Sequence, residues 1–464
     1  MKVIATLFRA ALIAAALSAG LAGEARAAED ANAEIRSLRE QIRQLDQRLH
    51  QLEQQQQARA QEAAAAATAP AVAPKITIND KGFTLASGDG ANSVSIRGLV
   101  QFDSRLYFGD SGTGSNTFLL RRARPILEGT FGRIYSFQLV PEFGGTSAPS
   151  ILDANLGIAL SKAVQFKFGK FKAPVGLELL QSDSWTFFNE RSLVTNLVPN
   201  RDVGAQLGGG LQDGAVTYAA GVFNGVADGG SSTNADVDRD KDVIGRLYFR
   251  PFKAVAGSPL QGLSLGAAAS LGREKTASAL TAGYRTDGQQ VFFKYRSAVV
   301  ADGQVWRFSP QAEYRAGPFG AMGEFAVSTV NVRPTATGSK AELRNRAWQL
   351  AAGYVLTGED SSATGVVPDR PFSWENGTWG AWELAVRYAN LKIDDQAFPL
   401  FADPAANANE ASALGLGVSW YLSRTVRATF DYYQTRFSTP VALSSAPALR
   451  QDEQALITRF QVSF

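Results

Sequence analysis

From Ile76 to the C-terminal Phe464 the chain alternates apolar and polar residues in short segments separated by turn-forming residues. Beginning at Val94, one parity reads Val94, Ile96, Gly98, Val100, Phe102. The other reads Ser95, Arg97, Gln101, Asp103, Arg105, with Leu99 as an apolar exception. In "RARPILEGTF", Ala123, Pro125, Leu127, Gly129 and Phe131 oppose Arg122, Arg124, Glu128 and Thr130, and Ile126 joins the polar side. "QVWRFSPQAEYR" and "AWELAVRY" repeat the pattern. A period of two places neighbours on opposite faces of a strand. Each strand then has an apolar face and a face carrying arginine and glutamate, which a dry core rejects. Tight turns are expected at Asp213-Gly214, Gly317-Pro318 and Ser423-Arg424. Residues 224–242, 358–378 and 395–411 form longer polar joints, expected together at the end of the sheet opposite the short turns.

Before residue 76 the period changes. Ile35, Leu38, Ile42, Leu45, Leu49 and Leu52 follow helical spacing, so residues 28–67 predict a helix with a coiled-coil seam. Isoleucine at a and leucine at d lean towards a dimer, and His50 sits on the solvated side. Residues 68–75, "TAPAVAPK", form an Ala/Pro linker. Residues 1–27 read as a secretory signal peptide: Lys2 and Arg9, an apolar core, then Ala25-Arg26-Ala27. Past that segment no apolar run approaches the ~20 residues of a membrane helix. A membrane position therefore requires a closed β-barrel. Aromatics near strand ends on the apolar face (Phe108, Trp306, Tyr314, Trp348, Tyr354, Trp382, Tyr388, Trp420) fit an interfacial girdle. A soluble sandwich is the alternative; the signal peptide and the terminal "RFQVSF", with Phe460, Val462 and Phe464 on one face, weigh against it. The predicted fold is all-β: residues 76–464 as a transmembrane antiparallel barrel of about sixteen strands, preceded by the coiled-coil segment.

The chain has no cysteine and one histidine, so disulfides, a His/Cys metal site and a barrel Ser-His pair are excluded. No phosphate loop or nucleotide fingerprint occurs, so no enzyme activity or cofactor is expected. A net charge of +3 gives no case for nucleic acid. Parity instead singles out lumen-facing cations. These are Arg97, Arg105, Arg122 and Arg124, then Lys167, Arg246, Arg250 and Arg307, and further on Arg315, Arg387, Arg427 and Arg459. Arginine forks and lysine ammoniums can replace part of an anion's hydration. Each such cation is equally compatible with pairing to a neighbouring carboxylate. In "VQFKFGKFKAPVGLELL" the alternation slips at Gly169, which predicts a bulge or strand end there. Lys167 then faces the lumen, and Lys170 and Lys172 mark a rim.

"FLLRRARPILEGTFGRIYSFQLVPEF", "ILDANLGIAL", "FKFGKFKAPVGLELLQSDSWTFFNERSL", "GAWELAVRYANLKIDD" and "LGVSWYLSRTVRATFDYYQTRF" resemble, in order, the phosphate-selective porins of the porin O and P family. The resemblance implies a homotrimer of sixteen-stranded barrels in the bacterial outer membrane, in contact with its lipid. It implies a diffusion channel for inorganic phosphate or other small anions, lined by an arginine ladder and a lysine cluster. Arg121 and Arg122 match the family's paired arginines, Arg105 lies near another ladder position, and Asp153 matches an acidic residue near the constriction. Gly176-Leu177-Glu178 opens the loop that folds inward. Leu179 departs: phosphate-selective members carry a lysine there that helps form the central anion site. Two further functions fit the sequence, a general or organic-anion porin and an envelope tether whose periplasmic coiled coil matters more than its pore.

Overall fold

A computed structural model describes residues 36–61, 73–108, 116–233, 236, 239–280, 283–335, 337–443 and 449–464. The proposed signal peptide, Ile35, the alanines at 63–67 and most of the linker lie outside them. The chain divides into two compact units, Met1–Ala73 and Pro74–Phe464. In the first, residues 36–61 form helix α1. Its seam residues Leu38, Ile42, Leu45, Leu49 and Leu52 are 51–64% exposed, so a single copy leaves the stripe uncovered.

The second unit opens with a hairpin of β1 (Lys75–Asn79) and β2 (Gly82–Ala86). The first half of the wall is β3 (Ser93–Phe108), β4 (Thr117–Phe131), β5 (Tyr135–Glu142), β6 (Ser150–Ala159), β7 (Gln165–Lys172), β8 (Arg201–Leu211), β9 (Val216–Phe223) and β10 (Asp242–Phe249). After β11 (Leu263–Ala279), two short strands, β12 (Tyr284–Arg285) and β13 (Val291–Phe293), pair with each other. The wall resumes with β14 (Val300–Ala316), β15 (Phe319–Arg333), β16 (Ala341–Val355), β17 (Ala381–Lys392), β18 (Glu410–Tyr421), β19 (Val426–Val441) and β20 (Arg450–Ser463). Consecutive wall strands pair antiparallel, and β20 returns to β3 from Gln454↔Phe108 to Ser463↔Leu99. Of the eighteen strands in this sheet, β1 and β2 sit on the β3 edge and the other sixteen close the barrel.

The distribution of exposure is inverted relative to a soluble fold. On β14, Arg307, Ser309 and Gln311 are at most 5% exposed, while Phe308 between them is 42% exposed. On β3, Gln101 and Asp103 are fully buried, whereas Val100 and Phe102 face outward. Polar residues line the inside and apolar residues the outside, as a bilayer requires. No described helix is long and apolar enough to cross a membrane.

Two expectations need correction. The 358–378 joint connects β16 to β17 at the short-turn end, beside Gly317 and Tyr421, and not with the other long joints. Ser361 N–H donates to the Gly317 carbonyl, and Val366 packs with Val355, Ala381 and Tyr421 under the barrel. Polar composition marked it as a loop but carries no information on which end it serves. Gly169 is not a bulge. β7 pairs with β6 and β8 without a register shift. Gly169 instead adopts φ 113°, and an added Cβ would lie 2.3 Å from the Ala154 carbonyl. Phe171 stays on the Lys167 face, with the Lys167 ammonium 5.2 Å from its ring centroid.

Candidate functional site

Between β7 and β8, residues 173–200 leave the wall and cross the lumen, carrying the short helix α2 (Leu177–Leu180) and a 3-10 turn at Leu193–Leu197. Wall residues far apart around the ring hold this loop. Glu324 on β15 accepts from the amides of Leu177 (2.7 Å) and Glu178 (3.1 Å). Glu178 accepts from Gln349 on β16 and from Arg387 on β17 (3.1 Å). Arg427 donates to the carbonyls of Ser184 and Thr186, and Arg459 to that of Asn189. Arg121 on β4 grips Glu190 at 2.7 and 3.0 Å. Residues 283–299 also fold inward: Asp287 reaches Arg387 at 2.6 Å, Thr286 bonds Glu453, and Tyr107 donates to the Gly288 carbonyl. Above them a packed apolar cluster including Phe292, Phe293, Phe401 and Phe437 fills the loop end on the β14–β19 side.

The lumen cations therefore form two groups. One group is spent on structure. Arg387 lies fully buried between Glu178 and Asp287. Arg307 is enclosed by Asp228 (2.7 Å) and Asp242 (3.5 Å), holding the loop after β9 to the wall. Arg105 contacts Asp103 and Glu190, and Arg97 pairs with Glu128. Arg122 donates to Gln101 and faces Asp183 at 3.7 Å; Arg124 bonds Glu142 and Asp183. Burial alone would raise the Asp183 carboxyl, but Arg191, Arg122, Arg124 and Lys172 outweigh it and hold it well below its ordinary value. Glu190 is likewise held low, with burial opposed by Arg121 and Arg459.

The second group lines a cavity of about 470 Å³ between the loop and strands β3–β10. Lys167, Lys172 and Arg246 face it without a carboxylate in ion-pair range among the described residues. The Lys172 ammonium donates to the Gln181 carbonyl at 2.8 Å. Arg246 donates to Gln311 and lies 4.6 Å above the Tyr248 ring. Arg201 also lines the cavity, balanced by Asp153 at 3.1 and 3.2 Å. Across the loop a cavity of about 180 Å³ is lined by Arg121, Arg122, Arg191 and Arg285, with Glu190 and Leu179. Leu179 faces this smaller space and Leu180 the larger one.

Lys170 and Arg250 line neither cavity. Lys170 pairs in register with Ala154 and Val203, on the face of β7 opposite Lys167. Arg250 lies exposed just past β10, among the joints at the short-turn end. Arg191, Arg201 and Arg285 did not emerge from the sequence. Arg201 could have been found by extending parity to the first residue of β8; Arg191 and Arg285 sit in loops, where no period applies.

This arrangement fits a graded anion path better than a single tight site. Three cations with no carboxylate in ion-pair range, in a cavity that Asp153 and Asp183 also line, attract anions, and moderate sites in series let them leave.

Comparison with known proteins agrees with this geometry. A curated relative, Porin O of Pseudomonas aeruginosa, is 26% identical over 401 residues, covering 78% of this chain and 87% of its own length. Two solved structures share the fold at 11–12% identity and TM-scores of 0.50: in-vitro folded OmpT of Vibrio cholerae, an outer membrane protein in its trimer form, and the outer membrane channel DcaP of Acinetobacter baumannii. Each is covered over 81% of this chain and 98–100% of its own. The family model for phosphate-selective porins O and P matches residues 94–464, and the chain belongs to that family.

Proposed function

We propose that this outer-membrane porin conducts small anions by passive diffusion, with phosphate and related oxyanions as its physiological cargo. The observation that carries the reading is the set Lys167, Lys172 and Arg246 on the larger cavity, none of which forms an ion pair among the described residues. The whole chain is almost charge-balanced, with 46 basic and 43 acidic residues, so selectivity must come from placement. Most lumen arginines are matched by carboxylates; Arg246 and the two lysines are not. Membership of the family supports assembly as a homotrimer. The exposed leucine and isoleucine stripe of α1 supports self-association of that helix in the periplasm.

Purified protein in planar bilayers tests this. The reversal potential in a KCl gradient is expected to show anion preference, and low phosphate is expected to inhibit chloride current. Cation preference would refute the anion reading. Anion preference without phosphate inhibition would leave a general anion porin.

A further inference from the structure

The two apolar exceptions on the polar face, Leu99 and Ile126, both line the larger cavity. They are joined there by Val140 on β5 and by Leu180 from the inward loop. Leu99, Ile126 and Val140 stand on three successive strands, so their side chains form one patch of the wall. Leu99 and Val140 are 4% and 5% exposed, so this patch is packed against its neighbours. The facing strands β7, β8 and β10 carry Lys167, Lys172, Arg201 and Arg246. The cavity therefore has a partly apolar side, on which Arg124 and Gln138 also stand, and a basic side on which Asp153 balances Arg201, and its size falls in the range of small-molecule sites.

We propose that the larger cavity is a binding site for organic anions: phosphomonoesters and carboxylates with an apolar or aromatic body. This rests on the reading of the cavity as the anion path. An inorganic phosphate against the basic wall would still turn two or three oxygens towards Ile126 and Val140, where the neighbouring donors Arg124 and Gln138 are already bonded to carboxylates. An organic anion places its charged head on the lysines and its body on the half-buried Ile126 and Leu180, removing the apolar surface that these two still show. Phe171, whose ring lies beneath the Lys167 ammonium, gives an aromatic body a further flat contact.

The test compares inhibition of chloride current by phenyl phosphate, inorganic phosphate and phenol in bilayers. Phenyl phosphate should half-inhibit at a concentration about tenfold below that of inorganic phosphate, a gain of ~1.4 kcal/mol. Phenol should not inhibit in this range. In Ile126→Thr/Val140→Thr, the phenyl phosphate value should rise towards that of phosphate. Equal inhibition by the two phosphates, in a channel that still prefers anions, would overturn the organic-anion site and leave the porin reading intact. Inhibition by phenol as strong as by phenyl phosphate would also overturn it, since charge would play no part. If the reversal potential shows no anion preference, the underlying reading fails instead.

Discussion

Replacing Arg387 with methionine removes the one cation that ties both inward loops to the same wall strand. Its guanidinium holds Glu178 of the 173–200 loop at 3.1 Å and Asp287 of the second loop at 2.6 Å. It also donates to the Glu190 carbonyl at 3.0 Å and lies 4.5 Å from the Phe188 ring centroid. All of this is buried, so the variant leaves two carboxylates without a counter-charge. Breaking a buried pair in this way costs roughly 3–5 kcal/mol. The sixteen-stranded wall keeps its backbone ladder and persists, so the penalty falls on loop docking. At ~1.4 kcal/mol per factor of ten, the released state gains two to three and a half powers of ten in population, roughly. Single-channel recordings should show larger mean conductance with frequent steps between levels, where the parent channel is steady. Arg387→Met/Glu178→Gln/Asp287→Asn removes all three charges and should restore a steady current. A steady, unchanged current from Arg387→Met alone would refute the assignment of Arg387 as the loop clamp.

Leu179→Lys adds an ammonium to the smaller cavity beside Arg121, Arg122 and Arg191, and should lower the phosphate concentration that half-inhibits chloride current by several-fold; no change would place the side chain outside the anion path. Gly169→Ala forces a Cβ against the Ala154 carbonyl at positive φ, and should lower barrel stability by about 1–3 kcal/mol, read as a lower temperature of conversion to the unfolded form on gels. Asp183 is held well below its ordinary value in the folded state. Its stabilisation is therefore complete above the unfolded value of about 3.9 and is lost as pH falls below that through the folded value. The heat stability that Asp183→Asn removes should be constant from neutral pH to about pH 4 and shrink only below that; a loss between pH 7 and pH 5 would contradict the ion-pair assignment.

Much of the architecture was legible because a barrel has one period and two solvents. Parity alone set Arg307, Arg387, Arg427 and Arg459 on the lumen side, and it isolated Leu99 and Ile126 as residues out of keeping with a polar wall. Parity could not tell which cations are neutralised. The partners are remote in sequence: Arg387 meets Glu178 across 209 residues, and Arg459 meets Asp103 across 356. Only closure of the ring and folding of the loop bring them together. The slip at Gly169 was misread for a related reason. Two lysines after a glycine look like a change of face, yet the strand keeps register, Phe171 turns inward and Lys172 follows at the strand end. The 358–378 segment shows a further limit. A loop's polarity is the same at either end of a barrel, and only a correct strand count assigns the end.

If selectivity comes from Lys167, Lys172 and Arg246 and not from the lumen's full complement of arginines, neutralising these three must weaken it. A unit charge roughly 6 Å from a passing anion contributes about 0.7–3 kcal/mol between water-like and surface-like screening. The decisive measurement is the reversal potential in a KCl gradient for the parent channel and for Lys167→Gln/Lys172→Gln/Arg246→Gln. Anion preference is expected in the parent, and at least a ~tenfold drop in the anion-to-cation permeability ratio in the triple variant. An unchanged ratio in a folded, conducting triple variant would contradict it.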